Sequence, residues 1–519
     1  MTLSTTPLKL FREKYLFFLL VCINASPLFV GKYFPTMDGP AHLYNANLIW
    51  ELISSNNEIL TGFYILNPEL VPNWLGHFIL LIGNRFLPPF LAEKLILGIY
   101  LFSFPYLFRK LVLQTQPSNI LMSYLGLLFV YSQMFLLGFY NFSLGILLML
   151  LTLYFWTKLQ AILFTKKGYF IFSGLFLLLY FSHLFVFGLT LAFIGIKIVS
   201  RAIAHKKKTI LFREALLLLS FSIIPLVLAL RYFSVTPSLT DPTYLPKGEL
   251  LTALIEMKSL IGFDHSFEST VLTITFAIFF LLFIASLILS LKSKSFQKDH
   301  FIVWVSFSLL ILFMYFLFPN TGGSAGMISV RLNYLFFLFA FLAIASFPFP
   351  IKLAVLPIMT IIGCSFLLTT TYVRVIYDLN KAATEYEKAA YFIPENSTIL
   401  PLNFSYHWLM PHFSNYLGVN KSQIIFDNYE ASVNYFPVKM NHATYPNVLL
   451  GHYSIDDLKC ANWLSIPYAE NTYTPDFILL QGAIGEGEGD CGEIIASVLE
   501  TEYNLVYHNS KIKLYKTKG

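Results

Sequence analysis

The sequence predicts a mostly α, polytopic membrane bundle of about eleven transmembrane helices, followed by a soluble α/β domain. Three observations carry that expectation. The 519 residues are 56% hydrophobic and only 12% charged, against about 25% charged in ordinary soluble domains. The apolar residues gather into runs near the length of a membrane span, separated by short basic loops. Charge is also uneven along the chain. From Lys381 onward 15 acids face 9 bases, a net of −6, so a whole-chain net of +6 leaves +12 upstream. Bases confined to loops between apolar runs follow the positive-inside rule and do not make a nucleic-acid patch.

The elements follow in order. The first run, Tyr15–Val30, lacks a small-x-small cleavage site and reads as a retained helix. Lys9, Arg12 and Lys14 ahead of it set the N-terminus in the cytoplasm. The first outer loop, residues 31–87, carries interfacial helices, and its segment Gly31–Pro72 holds Asp38, Glu51, Glu58 and Glu69 against a single Lys32. Its last piece, Trp74–Leu87, falls short of the roughly 20 residues a span needs. Read as half-inserted, it leaves Arg109 and Lys110 inside, beyond a second crossing at Pro88–Phe108.

A third crossing is expected over Ile120–Gln133 and a fourth over Asn141–Trp156. The fifth and sixth share Tyr169–Ser200, turn near His183 and end at the strongly basic RAIAHKKK. The remaining crossings fall at Ala215–Leu230, Thr270–Leu291, Phe301–Phe318, Arg331–Pro350 and Leu353–Tyr372. Residues 1–376 thus form the transmembrane part, and the tail, residues 377–519, emerges on the side opposite the N-terminus. An inner bacterial membrane with a periplasmic tail fits this layout.

The tail has soluble composition. LNKAATEYEKAAYFI has helical spacing, and STILPL, SQIIFD, DFILLQ, YNLVYH and KIKLYK read as strands. The loop GAIGEGEGDCG is acidic and matches no phosphate-binding pattern. Cys22 and Cys364 sit in apolar runs as small buried side chains. Cys460 and Cys491 form a possible disulfide if the tail faces an oxidising compartment.

The stretch FPTMDGPAHLYNA, residues 34–46, concentrates polar chemistry where the first helix leaves the membrane. One reading is local: Pro40 suits a first helical turn and Asp38 caps it. Against that, His42, Tyr44 and Asn45 share a membrane-facing helix, and further polar residues recur on the same side: His77, His183, Asp264, His265 and Arg331. A carboxylate in a partly dry cleft acts as a base or binds a divalent metal. An arginine at a helix mouth suits a phosphate, or else is an interfacial anchor. In the tail, Asn428, Tyr429 and Glu430 are a further acceptor contact, or the tail only docks and shields.

One long helix, an outer loop opening on an acid, interfacial helices, about eleven spans and an outer C-terminal domain together resemble the GT-C glycosyltransferases. MDGPAH, FSHLF around His183 and GMISVRLNYLF around Arg331 are the local matches. The resemblance implies a polyprenyl-phosphate-linked sugar donor, an inverting displacement, and a glycan, lipid or protein acceptor within the bilayer's outer face. It assigns Asp38 as catalytic base or as ligand of Mg or Mn, and Arg331 as the donor-phosphate cation. His42, Tyr44, Asn45, His77, His183, Asp264 and His265 become substrate-binding residues. Many members pair two acids in this loop, whereas Gly39 follows Asp38 here. The rival readings are a multi-pass transporter, a lipid-carrier flippase, and a catalytically inactive assembly protein of the same fold.

Overall fold

The computed structural model describes residues 7–55, 57–236, 241–292, 298–323, 325–405, 407–433, 435–441, 474–483 and 489–518. The chain divides into two compact units: Met1–Val30 with Leu97–Val375, and Gly31–Ile96 with Ile376–Gly519. The sequence reading attached the first outer loop to the transmembrane part. The structure groups that segment with the tail.

In the first unit the apolar runs become helices. Among the described residues, eight are long and apolar enough to cross a membrane, from Pro89–Thr115 to the long final helix that begins at Ile351. This is fewer than the eleven crossings expected. The helix Pro7–Asn24 carries Lys9, Arg12, Glu13 and Lys14 within its 18 residues. Lys166–Ser182 has 17 residues, about 26 Å of helix. His183, extended at φ −160° and ψ 114°, separates it from Leu184–Ala204, as the sequence predicts.

The expected third crossing is a correction. Residues Leu121–Phe129 form a 3-10 helix, followed by a short α-helix at Gln133–Leu136. The run has the composition of a span, but its backbone is tied down from outside. Tyr334 donates its hydroxyl to the Phe129 carbonyl at 2.9 Å. Asn119, just upstream, donates to the carbonyls of Ala345 and Phe347 at 2.8 and 2.6 Å. A buried segment whose polar groups find such partners does not require the α-helical ladder.

The core of this unit is the helix Ile328–Ser346, buried along 83% of its most apolar stretch, against 22% for Lys208–Val235. Between apolar helices in lipid, association rests on close packing, and here aromatic rings supply it. Phe339 meets Phe307 edge-on at 4.8 Å and stacks on Trp304 at 5.8 Å.

The second unit is built on strands β1 (Tyr64–Leu66), β2 (Thr398–Asn403), β3 (Ile424–Ile425), β4 (Val438–Met440), β5 (Phe477–Gln481), β6 (Tyr503–His508) and β7 (Ile512–Thr517). Five of these form one sheet in the order β3-β2-β5-β7-β6. Strands β3, β2 and β5 run parallel, and β7 and β6 are added antiparallel. β5 is buried along its length and β2 nearly so, as apolar strands at the centre of a parallel arrangement should be. These five are the strands the tail sequence predicts.

A second, two-stranded sheet was not legible in the sequence. β1 pairs antiparallel with β4, Tyr64 opposite Met440 and Leu66 opposite Val438. It fastens the first outer segment to the tail. Nearby, Tyr44 packs so tightly on Gly418 that a methyl group there has no room. Gly418→Ala is expected to lower stability by about 1–3 kcal/mol, the usual cost of overpacking. Thermal unfolding of the purified chain in detergent checks it.

Candidate functional site

The helix Gly39–Ser54 starts at the polar stretch singled out above, with Pro40 in its first turn. The expected cap is not made by Asp38. Its backbone sits at the cap position, at φ −92° and ψ −10°, but its side chain makes no capping bond. Thr36 does that work instead: its hydroxyl accepts from the Gly39 amide at 3.0 Å. The Asp38 carboxylate is therefore available for other uses. It is buried at 3% exposure, and Oδ1 has no hydrogen-bond partner among the described residues.

Its surroundings come from the tail. The Tyr429 hydroxyl donates to the carboxylate. His412 Nε2 lies 3.7 Å from Oδ1, and its ring stacks on Tyr429 at 4.4 Å. Burial raises the Asp38 carboxyl to about 7, with His42 and the Tyr429 bond pulling the other way. A carboxyl in that range exchanges its proton near neutral pH, the property of a general acid or base.

One helical turn beyond Asp38 stands His42, whose amide donates to the Asp38 carbonyl. Its Nδ1 is in ion-pair contact with Glu430 Oε1. His77 reaches the same carboxylate from the helix Trp74–Phe86, Nε2 lying 2.7 Å from Oε2. Glu430 is fully buried. Burial pushes its carboxyl up, but the His77 and His42 imidazoles outweigh it and hold it down at about 2. Phe436 closes the apolar side, edge-on to His77 at 5.6 Å, and packs with Ala41, Tyr429 and Val433.

The ligand atoms of His42, His77 and Glu430 all lie within 4.8 Å of one another. That set has two nitrogens and one carboxylate and does not include Asp38. Mg or Mn, which the sequence reading placed on Asp38, prefers a shell of oxygens and does not fit this donor set.

Tyr44 and Asn45, read as substrate contacts, are buried and bonded to the tail instead. Tyr44 donates to the Gln423 carbonyl at 2.6 Å. The amides of Asn45 and Asn428 exchange two bonds of 2.9 Å each. Their polar atoms face the tail because a helix packed on one side against β3 and its flanking loops must satisfy them there.

The other predicted residues belong to the first unit. His183 and Arg331, separated by 148 positions, meet at 3.2 Å. The guanidinium donates to Nε2, so His183 is neutral with its proton on Nδ1. Phe139 and Phe142 lie under the guanidinium at 5.1 and 5.6 Å. Asp264 and His265 are not part of such a cluster. Asp264 is exposed and caps the helix His265–Lys292, accepting from the Phe267 amide and the Ser266 hydroxyl, and these bonds hold its carboxyl below the usual range. His265 is exposed, 3.6 Å from Glu256. Cys460 lies outside the described residues, so its pairing with Cys491 does too.

Sequence reasoning missed His412, for which no local signal exists, and the junction of Glu430 with His42 and His77. It named Glu430 only as a possible acceptor contact.

No family model matches the chain, and no curated protein matches it in sequence. Among solved structures, the chain is similar to ArnT from Cupriavidus metallidurans, crystallised bound to undecaprenyl phosphate. The TM-score is 0.52 at 9% identity, over 96% of this chain and 97% of the other. The likeness concerns fold: this is an integral membrane protein with the GT-C-like architecture the sequence predicts.

The reciprocal amide pair offers a test of how the first segment is held. Asn45→Ala removes both bonds of this buried pair and is expected to cost about 1–3 kcal/mol. Adding Asn428→Ala should cost much less than a second such step. A double-mutant cycle read by thermal unfolding measures the coupling.

Proposed function

We propose that the chain is a glycosyltransferase that moves a sugar from a polyprenyl-phosphate donor to an acceptor hydroxyl at the outer face of the membrane. The observation that carries this reading is the Asp38 carboxylate: buried, relieved of capping by Thr36, and raised to about 7. The likeness in fold to an ArnT bound to undecaprenyl phosphate supports the lipid carrier.

In this reading Asp38 accepts the proton of the acceptor hydroxyl as its oxygen attacks the anomeric carbon. The bond from that carbon to the phosphate oxygen breaks with inversion, and the lipid phosphate leaves with the electron pair. Tyr429 orients the carboxylate through its hydroxyl. The sequence reading gives the donor phosphate to Arg331, whose guanidinium is held by His183 and the two phenylalanine rings.

Asp38→Asn keeps the size of the side chain and removes the base. In cells lacking the native gene, the wild-type chain is expected to restore a sugar-sized mass increment on an envelope lipid, glycan or protein. The variant should lower that product by about 100-fold or more, the usual worth of a general base, at unchanged protein level. Product at wild-type level in the variant would contradict the assignment. Arg331→Ala is expected to raise the apparent KM for the lipid donor. An unchanged KM would make Arg331 an interfacial anchor.

A further inference from the structure

We propose that His42, His77 and Glu430 form a binding site for a transition-metal dication, with Zn²⁺ the best match. Three ligand atoms within 4.8 Å of one another need little movement to close on a tetrahedral ion with bonds of about 2.0 Å. All three side chains are buried, at 4%, 0% and 0% exposure.

The orientation of His77 fits as well. Its Nδ1 lies 3.2 Å from the Asn73 carbonyl oxygen, which leaves Nε2 facing Glu430 Oε2 at 2.7 Å. A metal-bound histidine typically donates its other N–H to a backbone carbonyl or carboxylate, which is the arrangement His77 has with Asn73. Glu430 Oε1 likewise faces His42 Nδ1 and is in close contact with it.

Two imidazoles and one carboxylate select zinc, or a neighbouring first-row metal, over Mg, Ca or Mn. The competing explanation is an imidazolium at His77, with Glu430 salt-bridged between two rings and no metal. The site goes beyond the transferase reading: it does not include Asp38, and an ion there would fasten the segments bearing positions 42, 77 and 430 whatever reaction follows.

The test uses the full chain purified without chelator. Elemental analysis is expected to find about one zinc per chain, lost in His77→Ala and Glu430→Gln and kept in the exposed control His265→Ala. Stripping and refilling with Co²⁺ should give the visible absorption of a tetrahedral site, and Zn²⁺ should raise the Tm of the stripped protein. The Co²⁺ and Tm measurements use the wild-type chain, so a variant that misfolds does not blunt them. A wild-type chain that holds no metal and binds neither Zn²⁺ nor Co²⁺ overturns the proposal in favour of the imidazolium. Metal retained in both variants overturns it as well. Neither outcome bears on Asp38→Asn, so failure here and failure of the transferase reading are separately visible.

Discussion

Glu430 between His42 and His77 is the interaction on which the second unit depends. A carboxylate removed from water is costly unless charged or hydrogen-bonding partners replace its solvent. Here one partner comes from the helix Gly39–Ser54, the other from Trp74–Phe86, and the carboxylate itself from a four-residue helix deep in the tail. The buried carboxylate finds its two imidazole partners only in the other two segments. The neighbouring contacts repeat the pattern. β1 pairs with β4, Asn45 with Asn428, and Tyr44 with the backbone at Gln423.

The consequence for function lies one helical turn away. Asp38 stands at the start of the helix whose next turn is pinned through His42. An aspartate at a helix start ordinarily gains stability by bonding to the first amides. Thr36 makes that bond, and Asp38 is left with Tyr429 and a nearby His412 in a dry setting. A carboxylate that contributes nothing to capping and is costly to bury is what a reactive group looks like when the fold holds it for chemistry. The likeness to ArnT is one of fold at low identity.

Much of this was legible in the sequence where the information is local. Apolar runs located most of the membrane helices, and short runs rich in apolar, β-branched and aromatic residues located all five strands of the larger sheet. The acid of MDGPAH and the histidine break at position 183 were visible because each interrupts a pattern. The run 120–133 misled because hydropathy reports burial and not backbone conformation, and the bonds at and beside it, from Tyr334 to Phe129 and from Asn119 to Ala345 and Phe347, join residues some 200 positions apart. Glu430 was found but not understood. Its partners lie 388 and 353 positions upstream, in a loop that charge patterning alone assigns to the membrane part. Asp264 shows the opposite error: an acid beside a histidine looked like chemistry, and it is a helix cap.

The central claim is that the start of the Gly39–Ser54 helix, and with it Asp38, is held in place from the tail through Glu430. Amide hydrogen exchange over residues 41–46, compared between the wild-type chain and Glu430→Gln, measures this most directly. Removing the charge should speed exchange there by about tenfold or more, with the helices of the first unit unaffected. Unchanged protection over residues 41–46 would contradict the claim, because the helix would then be shown to stand without the buried carboxylate.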